Sequence, residues 1–247
     1  MSFSDAALAR RIADTAGRLL LGLQDCGLFE AKALGAAGDQ VSHTFMMEAL
    51  KTQRPGDAVL SEEGAADPAR LKAERIWIVD PLDGTREYSE RRTDWAIHVA
   101  LAVNGRPVAG AVSLPGLDLT LSTDLPPPLA APHHGKMRIL VSRTRPPKEA
   151  EAVAASLGAT LVPMGSAGAK SMAVLRGEAE AYIHAGGQYE WDSCAPVAVA
   201  LAAGLHASRI DGSPCVYNRA DVSMPDLLIC RKELADKILS ALAKARG

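Results

Sequence analysis

The chain has 247 residues, of which 48% are hydrophobic and 23% are charged, with a formal net charge of −2 at pH 7. This composition predicts a globular protein of one domain or two packed subdomains, and it argues against a disordered chain. The slight negative charge argues against a nucleic acid polymer as the main partner, because a phosphate backbone requires a basic surface. The four cysteines form no C-x-x-C pair, which favours reduced thiols in a cytoplasmic protein over a zinc site or disulfide framework.

The N-terminal region is predicted to be helical. Apolar residues recur at helical spacing over 8–23 with charged residues opposite, which indicates an amphipathic surface helix rather than a signal peptide or a membrane span. A second helix is expected to begin near Gly38-Asp39 and to run through "HTFMMEALK" (43–51). A short strand over "DAVLSEEG" (57–64) follows and ends in acids.

The central region predicts further strands. "RIWIVD" (75–80) has the continuous apolar run of a buried strand, and "WAIHVALAV" (95–103) and "PVAGAVSL" (107–114) are joined by Asn104-Gly105, which favours a type I′ hairpin. The proline-rich segment "DLPPPLAAPHHGK" (124–136) interrupts all periodicity. We therefore predict an N-terminal α+β subdomain over 1–132 and a C-terminal α/β subdomain over 133–247.

Beyond that boundary, helices and strands alternate. Strands are expected at 137–142, 159–164, 179–184 and 226–231, and helices at 148–157, 167–176, after Trp191-Asp192 and from Lys232. Interleaved helices and strands in both halves predict a layered α/β protein with mixed sheets.

Two acids stand at the end of the buried strand 75–80. Asp80 and Asp83 occupy the first and fourth positions of a turn, "DPLDG", and such positions lie within about 7 Å of each other. Two carboxylates this close repel unless a cation compensates or one is protonated. Oxygen ligands without His or Cys favour Mg²⁺ over Zn²⁺, and the Leu82 carbonyl is a natural further ligand. For this stretch alone, a well-formed turn with capping acids is an equal alternative.

Other acids stand at the ends of other predicted elements. Glu62-Glu63 ends the strand 57–64, and Asp192 opens a helix, where a lone Asp is more often a cap. Taken together, these positions indicate a metal site. The short helix beginning at Gly84-Thr85 has free N–H groups that suit a phosphate oxygen. Thr85 would orient a water and donate its hydroxyl to an acid, for which Asp39 is the candidate.

The chain resembles the inositol monophosphatase superfamily of lithium-sensitive, magnesium-dependent phosphatases. The resemblance rests on Glu62-Glu63, "WIVDPLDGTREY" (77–88) and "GGQYEWDSCAP" (186–196), in that order. It implies an αβαβα sandwich and two or three Mg²⁺ ions. The implied metal ligands are Glu62, Asp80, the Leu82 carbonyl, Asp83 and Asp192, and the implied catalytic residues are Asp39, Thr85 and Glu62.

Within this superfamily, the stretches 139–147 and 165–192 are most similar to the 3′(2′),5′-bisphosphate nucleotidases of the bacterial CysQ group. This implies hydrolysis of adenosine 3′,5′-bisphosphate, and of 3′-phosphoadenylyl sulfate, in sulfate assimilation. Homodimers are common among relatives. The expected substrate contacts are Asp83, Gly84, Thr85, Arg143, Ser166, Lys170 and Asp192.

Several alternatives remain open. Inositol monophosphatase or fructose-1,6-bisphosphatase activity would use the same metal site with a different pocket rim. A non-catalytic metal or nucleotide sensor is a further alternative. His98 and His184 are expected to be ordinary packed or surface histidines, with a smaller chance that His184 lines the pocket.

Overall fold

A computed structural model describes residues 3–65 and 67–246. The α-helices are α1 Asp5–Asp25, α2 Ala31–Gln53, α3 Thr85–Ser89, α4 Lys148–Leu157, α5 Ala167–Leu175, α6 Glu190–Ala202 and α7 Ala235–Arg246. The strands are β1 Ala58–Ser61, β2 Arg75–Asp83, β3 Ala96–Val103, β4 Arg106–Leu114, β5 Leu119–Ser122, β6 Arg138–Ser142, β7 Thr160–Met164, β8 Ala181–Ala185, β9 His206–Ser208 and β10 Asp226–Cys230.

The strands form two five-stranded mixed sheets. The first sheet has the order β1-β2-β3-β4-β5, with β1 and β2 parallel and the other neighbours antiparallel. The second has the order β7-β6-β8-β10-β9, with β6 parallel to both β7 and β8. Helices α1 and α2 cover the first sheet, α5 and α6 lie between the sheets, and α4 and α7 cover the second. This arrangement confirms the expected αβαβα sandwich.

Strand β2 is apolar along its length because both faces of the first sheet are covered. Trp77 and Val79 pack in the cluster formed with α1 and α2, whereas Ile76 and Ile78 pack in the cluster formed with α5 and α6. A strand buried on both faces has no polar side to alternate with, which explains its continuous apolar run. The same burial places the polar end of β2 between two helical layers.

The predicted hairpin between β3 and β4 is confirmed. Asn104 and Gly105 have φ values of 48° and 75°, as the two central residues of a type I′ turn require. The strands expected in the C-terminal half are also present, but the short edge strands β5 and β9 were not predicted. At the C-terminus a 3₁₀ turn over Lys232–Leu234 precedes α7, which begins at Ala235.

The prediction for the start of α2 was wrong. The helix begins at Ala31, so Asp39 lies in its interior rather than at its start. Its glycines were interpreted as a helix boundary, but they allow close packing: a Cβ at Gly35 would lie 2.6 Å from Ser89 Oγ, and one at Gly38 would lie 2.8 Å from Tyr88 Cε1. Small residues let α2 approach α3, which brings Asp39 to the end of β2.

The proline-rich segment 124–136 connects the last strand of the first sheet to the first strand of the second. The division into subdomains 1–132 and 133–247 stays a prediction. Among the described helices, none combines the length and the apolar character needed to cross a membrane.

Candidate active site

Three acidic side chains from distant parts of the chain converge on one point. Asp80, Asp83 and Asp192 each offer a carboxylate oxygen within 4.8 Å of the others. Asp80 and Asp83 come from the end of β2, and Asp192 comes from the first turn of α6. The convergence predicted for these residues is therefore present.

A local irregularity in β2 shapes this end of the strand. Asp80 pairs with His98 on β3, whereas Asp83 pairs with Ala96, so β2 has one more residue than its partner over this interval. Such a bulge bends a strand and changes the direction of its side chains. Pro81 is compatible with it because proline has no N–H to donate to a ladder.

Asp83 is held in place by backbone N–H groups of α5, in the helical layer between the sheets, and by His98 on β3. Its carboxylate accepts hydrogen bonds from the backbone N–H groups of Ala167 (3.2 Å) and Gly168 (2.6 Å) at the start of α5, and it lies 3.1 Å from His98 Nε2. Burial alone would raise the pKa of Asp83, but His98 and these contacts lower it below its ordinary value. Asp83 is therefore ionised and fixed.

Asp80 and Asp192 are less compensated than Asp83. The Asp192 carboxylate caps α6 by accepting a hydrogen bond from the backbone N–H of Tyr189 at 2.7 Å. Asp80 is only 1% exposed, and its Oδ1 accepts from the backbone N–H of Leu82 at 3.0 Å. Its pKa is raised well above the ordinary value by burial and by the charges of Glu62, Asp83 and Asp192. The pKa of Asp192 is raised to about 7, mainly by burial and then by the charge of Asp83. Buried carboxylates with unfavourable charges are the donor set that a hard divalent cation would stabilise, so these residues fit Mg²⁺.

Glu62 lies directly after β1. The residue has an exposed surface, yet its carboxyl is close enough to Asp80 and Asp83 to interact with both. Desolvation raises the pKa of Glu62 to about 7, and the charges of Asp83, Glu63 and Asp39 add to the shift. Glu62 is not within the 4.8 Å group, so its role as a metal ligand stays a prediction.

Thr85 and Asp39 are in contact across α3 and α2. The Thr85 hydroxyl lies 3.3 Å from Asp39 Oδ1 and 3.2 Å from the Leu82 carbonyl oxygen, so it can donate to either. Burial, with a smaller contribution from the charge of Glu63, raises the pKa of Asp39 to about 6. A carboxylate with a pKa near neutrality is a better proton acceptor than an ordinary Asp.

A cavity of about 430 Å³ opens beside Asp83 and Asp192. Gly84 lines it with a left-handed backbone (φ 91°), and a Cβ there would lie 3.0 Å from Ser166 Cβ. Ser166 caps α5 by accepting from the backbone N–H of Ala169 at 3.0 Å. The predicted substrate residues Gly84, Ser166, Lys170 and Arg143 thus share one cavity with the carboxylates.

Lys170 is buried in this wall with only 4% exposure. Its ammonium group donates to the backbone carbonyls of Gly165 and Ser166 and lies over the ring of Tyr182, 5.2 Å from the centroid. Burial lowers the pKa of Lys170 to about 8, although the charge of Asp83 opposes the shift. Lys170 therefore holds the turn before α5 as well as contributing charge to the cavity.

Arg143 reaches the cavity but is paired with acids. Its Nη2 donates to Glu87 Oε1 at 2.8 Å and to Glu90 Oε2 at 3.0 Å. The role of Arg143 as a substrate contact stays a prediction. Arg145, two residues further on, lines the same cavity and was not singled out from the sequence.

His98 and Asp94 are the other site residues that the sequence analysis missed. His98 was expected to be an ordinary packed histidine, yet its Nδ1 lies 3.0 Å from the Trp191 carbonyl oxygen and its Nε2 lies near Asp83. Asp94 accepts from the N–H of Gly165 through its carboxylate (2.7 Å) and from the N–H of Ser166 through its carbonyl (3.0 Å). In the sequence, the only signal for either residue is His98 itself, which is a polar residue inside an otherwise apolar strand.

The chain is similar to proteins of one known family. Residues 30–246 match the model of the inositol monophosphatase family. The chain is 50% identical to a 3′-phosphoadenosine 5′-phosphate phosphatase of Mycobacterium bovis over 93% of this chain and 90% of that protein. It is 31% identical to the 3′(2′),5′-bisphosphate nucleotidase CysQ of Escherichia coli over 73% and 78%.

A solved inositol monophosphatase from Zymomonas mobilis has the same fold, with a TM-score of 0.79, 21% identity and 97% of each chain covered. The matched family region contains both the acidic strand end of β2 and the first turn of α6, where the three carboxylates lie. The chain therefore belongs to the inositol monophosphatase family.

Proposed function

We propose that this protein is a magnesium-dependent phosphatase that hydrolyses adenosine 3′,5′-bisphosphate to AMP and phosphate. The observation that carries the proposal is the convergence of Asp80, Asp83 and Asp192 beside a cavity with cationic side chains in its wall. The substrate is taken from relatives named 3′-phosphoadenosine 5′-phosphate phosphatase, which are 46–50% identical over at least nine tenths of both chains.

Glu62, Asp80, the Leu82 carbonyl, Asp83 and Asp192 would hold the Mg²⁺ ions. Bound divalent ions lower the pKa of a water ligand and stabilise negative charge on a phosphoryl group. The protein's part is to hold these ligands in a fixed arrangement. Asp83, anchored by α5 and His98, supports this rigidity.

Asp39 and Thr85 are proposed to handle the proton of the attacking water. With its hydroxyl hydrogen on Asp39, Thr85 has lone pairs free to accept a hydrogen bond from water and so to orient it. Asp39 is then the base toward which the proton moves, and its raised pKa suits this task. General base catalysis of this kind contributes roughly 10²–10⁴-fold to a rate.

The remainder of the cavity would hold the nucleotide. Its volume of about 430 Å³ lies within the range of pockets that bind small molecules. Ser166 and Lys170 supply polar contacts along one wall, and the first turn of α6 supplies Asp192. Because the cavity extends beyond the carboxylates, the same site is proposed to accept 3′-phosphoadenylyl sulfate as well. A role in sulfate assimilation is part of the same proposal.

A cytoplasmic location is also proposed. All four cysteines are free thiols, and three of them are buried. Unpaired cysteines are typical of proteins in reducing compartments.

The proposal is tested by measuring phosphate release from four substrates side by side with Mg²⁺. These are adenosine 3′,5′-bisphosphate, adenosine 2′,5′-bisphosphate, inositol 1-phosphate and fructose 1,6-bisphosphate. We expect the adenosine 3′,5′ compound to have the highest kcat/KM, by about tenfold or more. Chelation of the metal should abolish release in every case. A clear preference for inositol 1-phosphate would refute the nucleotidase assignment.

A further inference from the structure

The wall of the active-site cavity contains four Lys or Arg side chains, and three of them are already engaged by protein groups. Arg86 donates to Glu90 at 2.9 Å, and Lys170 donates to two backbone carbonyls. Arg143 is paired with two acids, as described above. These three cations thus already donate hydrogen bonds to protein groups before any substrate enters, and Arg86 and Arg143 are also paired with acidic charges.

Arg145 differs from them. In residues 3–65 and 67–246, no acidic group or hydrogen-bond acceptor partners its guanidinium, and the residue is exposed. An uncompensated guanidinium at the wall of a substrate cavity is available to an anionic ligand. Guanidinium groups bind phosphate with two parallel hydrogen bonds, which adds directional specificity.

The position of Arg145 is defined by the connection between β6 and α4. Its backbone N–H donates to Ser142 Oγ at 3.3 Å, and two prolines follow, which restrict the backbone. The guanidinium extends across the cavity toward the β8–α6 connection: a Cβ at Gly187 would lie 3.7 Å from Arg145 Nη1. Arg145 therefore lies beside the β8–α6 connection in the wall of the cavity.

The part of the cavity wall next to Arg145 is polar, and some of its buried polar atoms lack hydrogen-bond partners among the described residues. His184 and Gln188 line the same cavity with exposures of 8% and 6%, and within the described part of the chain His184 Nε2 and Gln188 Oε1 have no hydrogen-bond partner. Buried polar atoms are normally paired, so this wall has capacity for a polar ligand. Burial, assisted by the charges of Lys170 and Arg145, lowers the pKa of His184 to about 4, so His184 is neutral at pH 7. Neutral His184 therefore neither offsets the charge of Arg145 nor adds a positive charge of its own.

We propose that Arg145 binds the phosphate group that is not cleaved, and that it thereby selects a bisphosphate substrate over the corresponding monophosphate. The inference rests on the proposed function, which supplies a substrate with two phosphates. Arg143 has a different role: it neutralises Glu87 and Glu90, which would otherwise repel an anion from the same cavity.

The test compares Arg145→Gln with wild type on two substrates, adenosine 3′,5′-bisphosphate and adenosine 3′-monophosphate. We expect the substitution to lower kcat/KM for the bisphosphate by about 10- to 100-fold, chiefly through KM, because a charge-assisted hydrogen bond is lost. The value for the monophosphate should stay within about twofold of wild type. Because Arg145 is exposed, added salt should also raise KM for the bisphosphate more in wild type than in the variant.

Arg143→Gln is the matched comparison. It should lower kcat/KM for both substrates to a similar extent, since it frees acidic charge without removing a contact specific to the second phosphate. The inference is overturned if Arg145→Gln affects both substrates equally, if it affects neither, or if the selective loss occurs in Arg143→Gln instead.

Failure of the proposed function has a separate signature. In that case wild type itself would release no phosphate from adenosine 3′,5′-bisphosphate. The selectivity of Arg145 is then measured with fructose 1,6-bisphosphate against fructose 1-phosphate, and the same pattern of outcomes decides it.

Discussion

Asp80 and Asp83 are separated by two residues, but their surroundings act on them in opposite ways. Asp83 accepts two backbone N–H groups and lies beside His98, which lowers its pKa. Asp80 is surrounded mainly by other carboxylates, which raises its pKa. The two side chains are expected to contribute equally to metal binding but differently to the stability of the metal-free protein.

This difference predicts opposite effects of two isosteric substitutions. We expect Asp83→Asn to lower the free energy of unfolding by about 1–3 kcal/mol, because an amide has a single acceptor oxygen and cannot replace both carboxylate oxygens that accept N–H groups from α5. Asp80→Asn removes a buried, unfavourable charge and should leave metal-free stability equal to or above that of wild type.

Chemical unfolding in the presence of a chelator measures both effects. Phosphate release with Mg²⁺ should be lost in both variants, which separates function from stability. Equal destabilisation by the two substitutions would contradict the environments described here.

At the scale of elements, the approach of α2 to α3 positions the proposed base. Gly35 and Gly38 lie on the face of α2 that packs against α3, and Asp39 follows directly. Glycine lowers helix propensity by about 1 kcal/mol relative to alanine, so its presence in a helix interior requires a reason. Here the reason is the lack of space for a Cβ.

We therefore expect Gly38→Ala to lower both stability and turnover. Its Cβ would lie 2.8 Å from Tyr88 Cε1 and 3.0 Å from Leu82 Cδ2, so α2 must move away and Asp39 with it. Overpacking of this kind typically costs about 1–3 kcal/mol. Thermal unfolding and phosphate release, measured on the same preparation, test both effects.

Gly22→Ala is the matched control on α1. No atom of the described residues comes within 4 Å of a Cβ at Gly22, so alanine should stabilise the protein by up to about 1 kcal/mol and leave turnover unchanged. If Gly38→Ala behaved like Gly22→Ala, close packing of α2 would not be what positions Asp39.

At the scale of the whole molecule, the site exists only where three layers meet. The first sheet supplies Asp80 and Asp83, and the helical layer between the sheets supplies Asp192 and Lys170. Helix α2, in the outer helical layer, supplies Asp39. This stacking buries several acids together, and the repulsion among them opposes folding until a cation binds.

The repulsion predicts a pH-dependent effect of Mg²⁺. Glu62 and Asp192 have pKa values raised to about 7 and Asp39 to about 6, whereas unfolded carboxyls titrate near 4. Between about pH 4 and pH 7 these three carboxyl groups therefore bind more protons in the folded metal-free protein than in the unfolded chain. The stability that these groups contribute is present below pH 4 and is lost as the pH rises through 7.

Mg²⁺ competes with these protons, so its stabilising effect should increase with pH. We expect the rise in Tm on adding Mg²⁺ to be larger at pH 8 than at pH 5.5, with ionic strength matched by NaCl. A rise of the same size at both values would show that the acids do not share a cation.

The sequence by itself determined the layered α/β class, the hairpin at Asn104-Gly105 and the acids that would form a metal site. These follow from local patterns: apolar runs, turn residues and acids at the ends of elements.

The start of α2 could not be determined in this way, because a glycine that ends a helix and a glycine that permits close packing look the same in sequence. Only the tertiary structure showed that His98 and α5 anchor Asp83. It also showed that Arg143 is paired with acids, whereas the guanidinium of Arg145 has no partner among the residues that the structure describes. Those outcomes depend on contacts between residues about 15 to 85 positions apart, which no local pattern encodes.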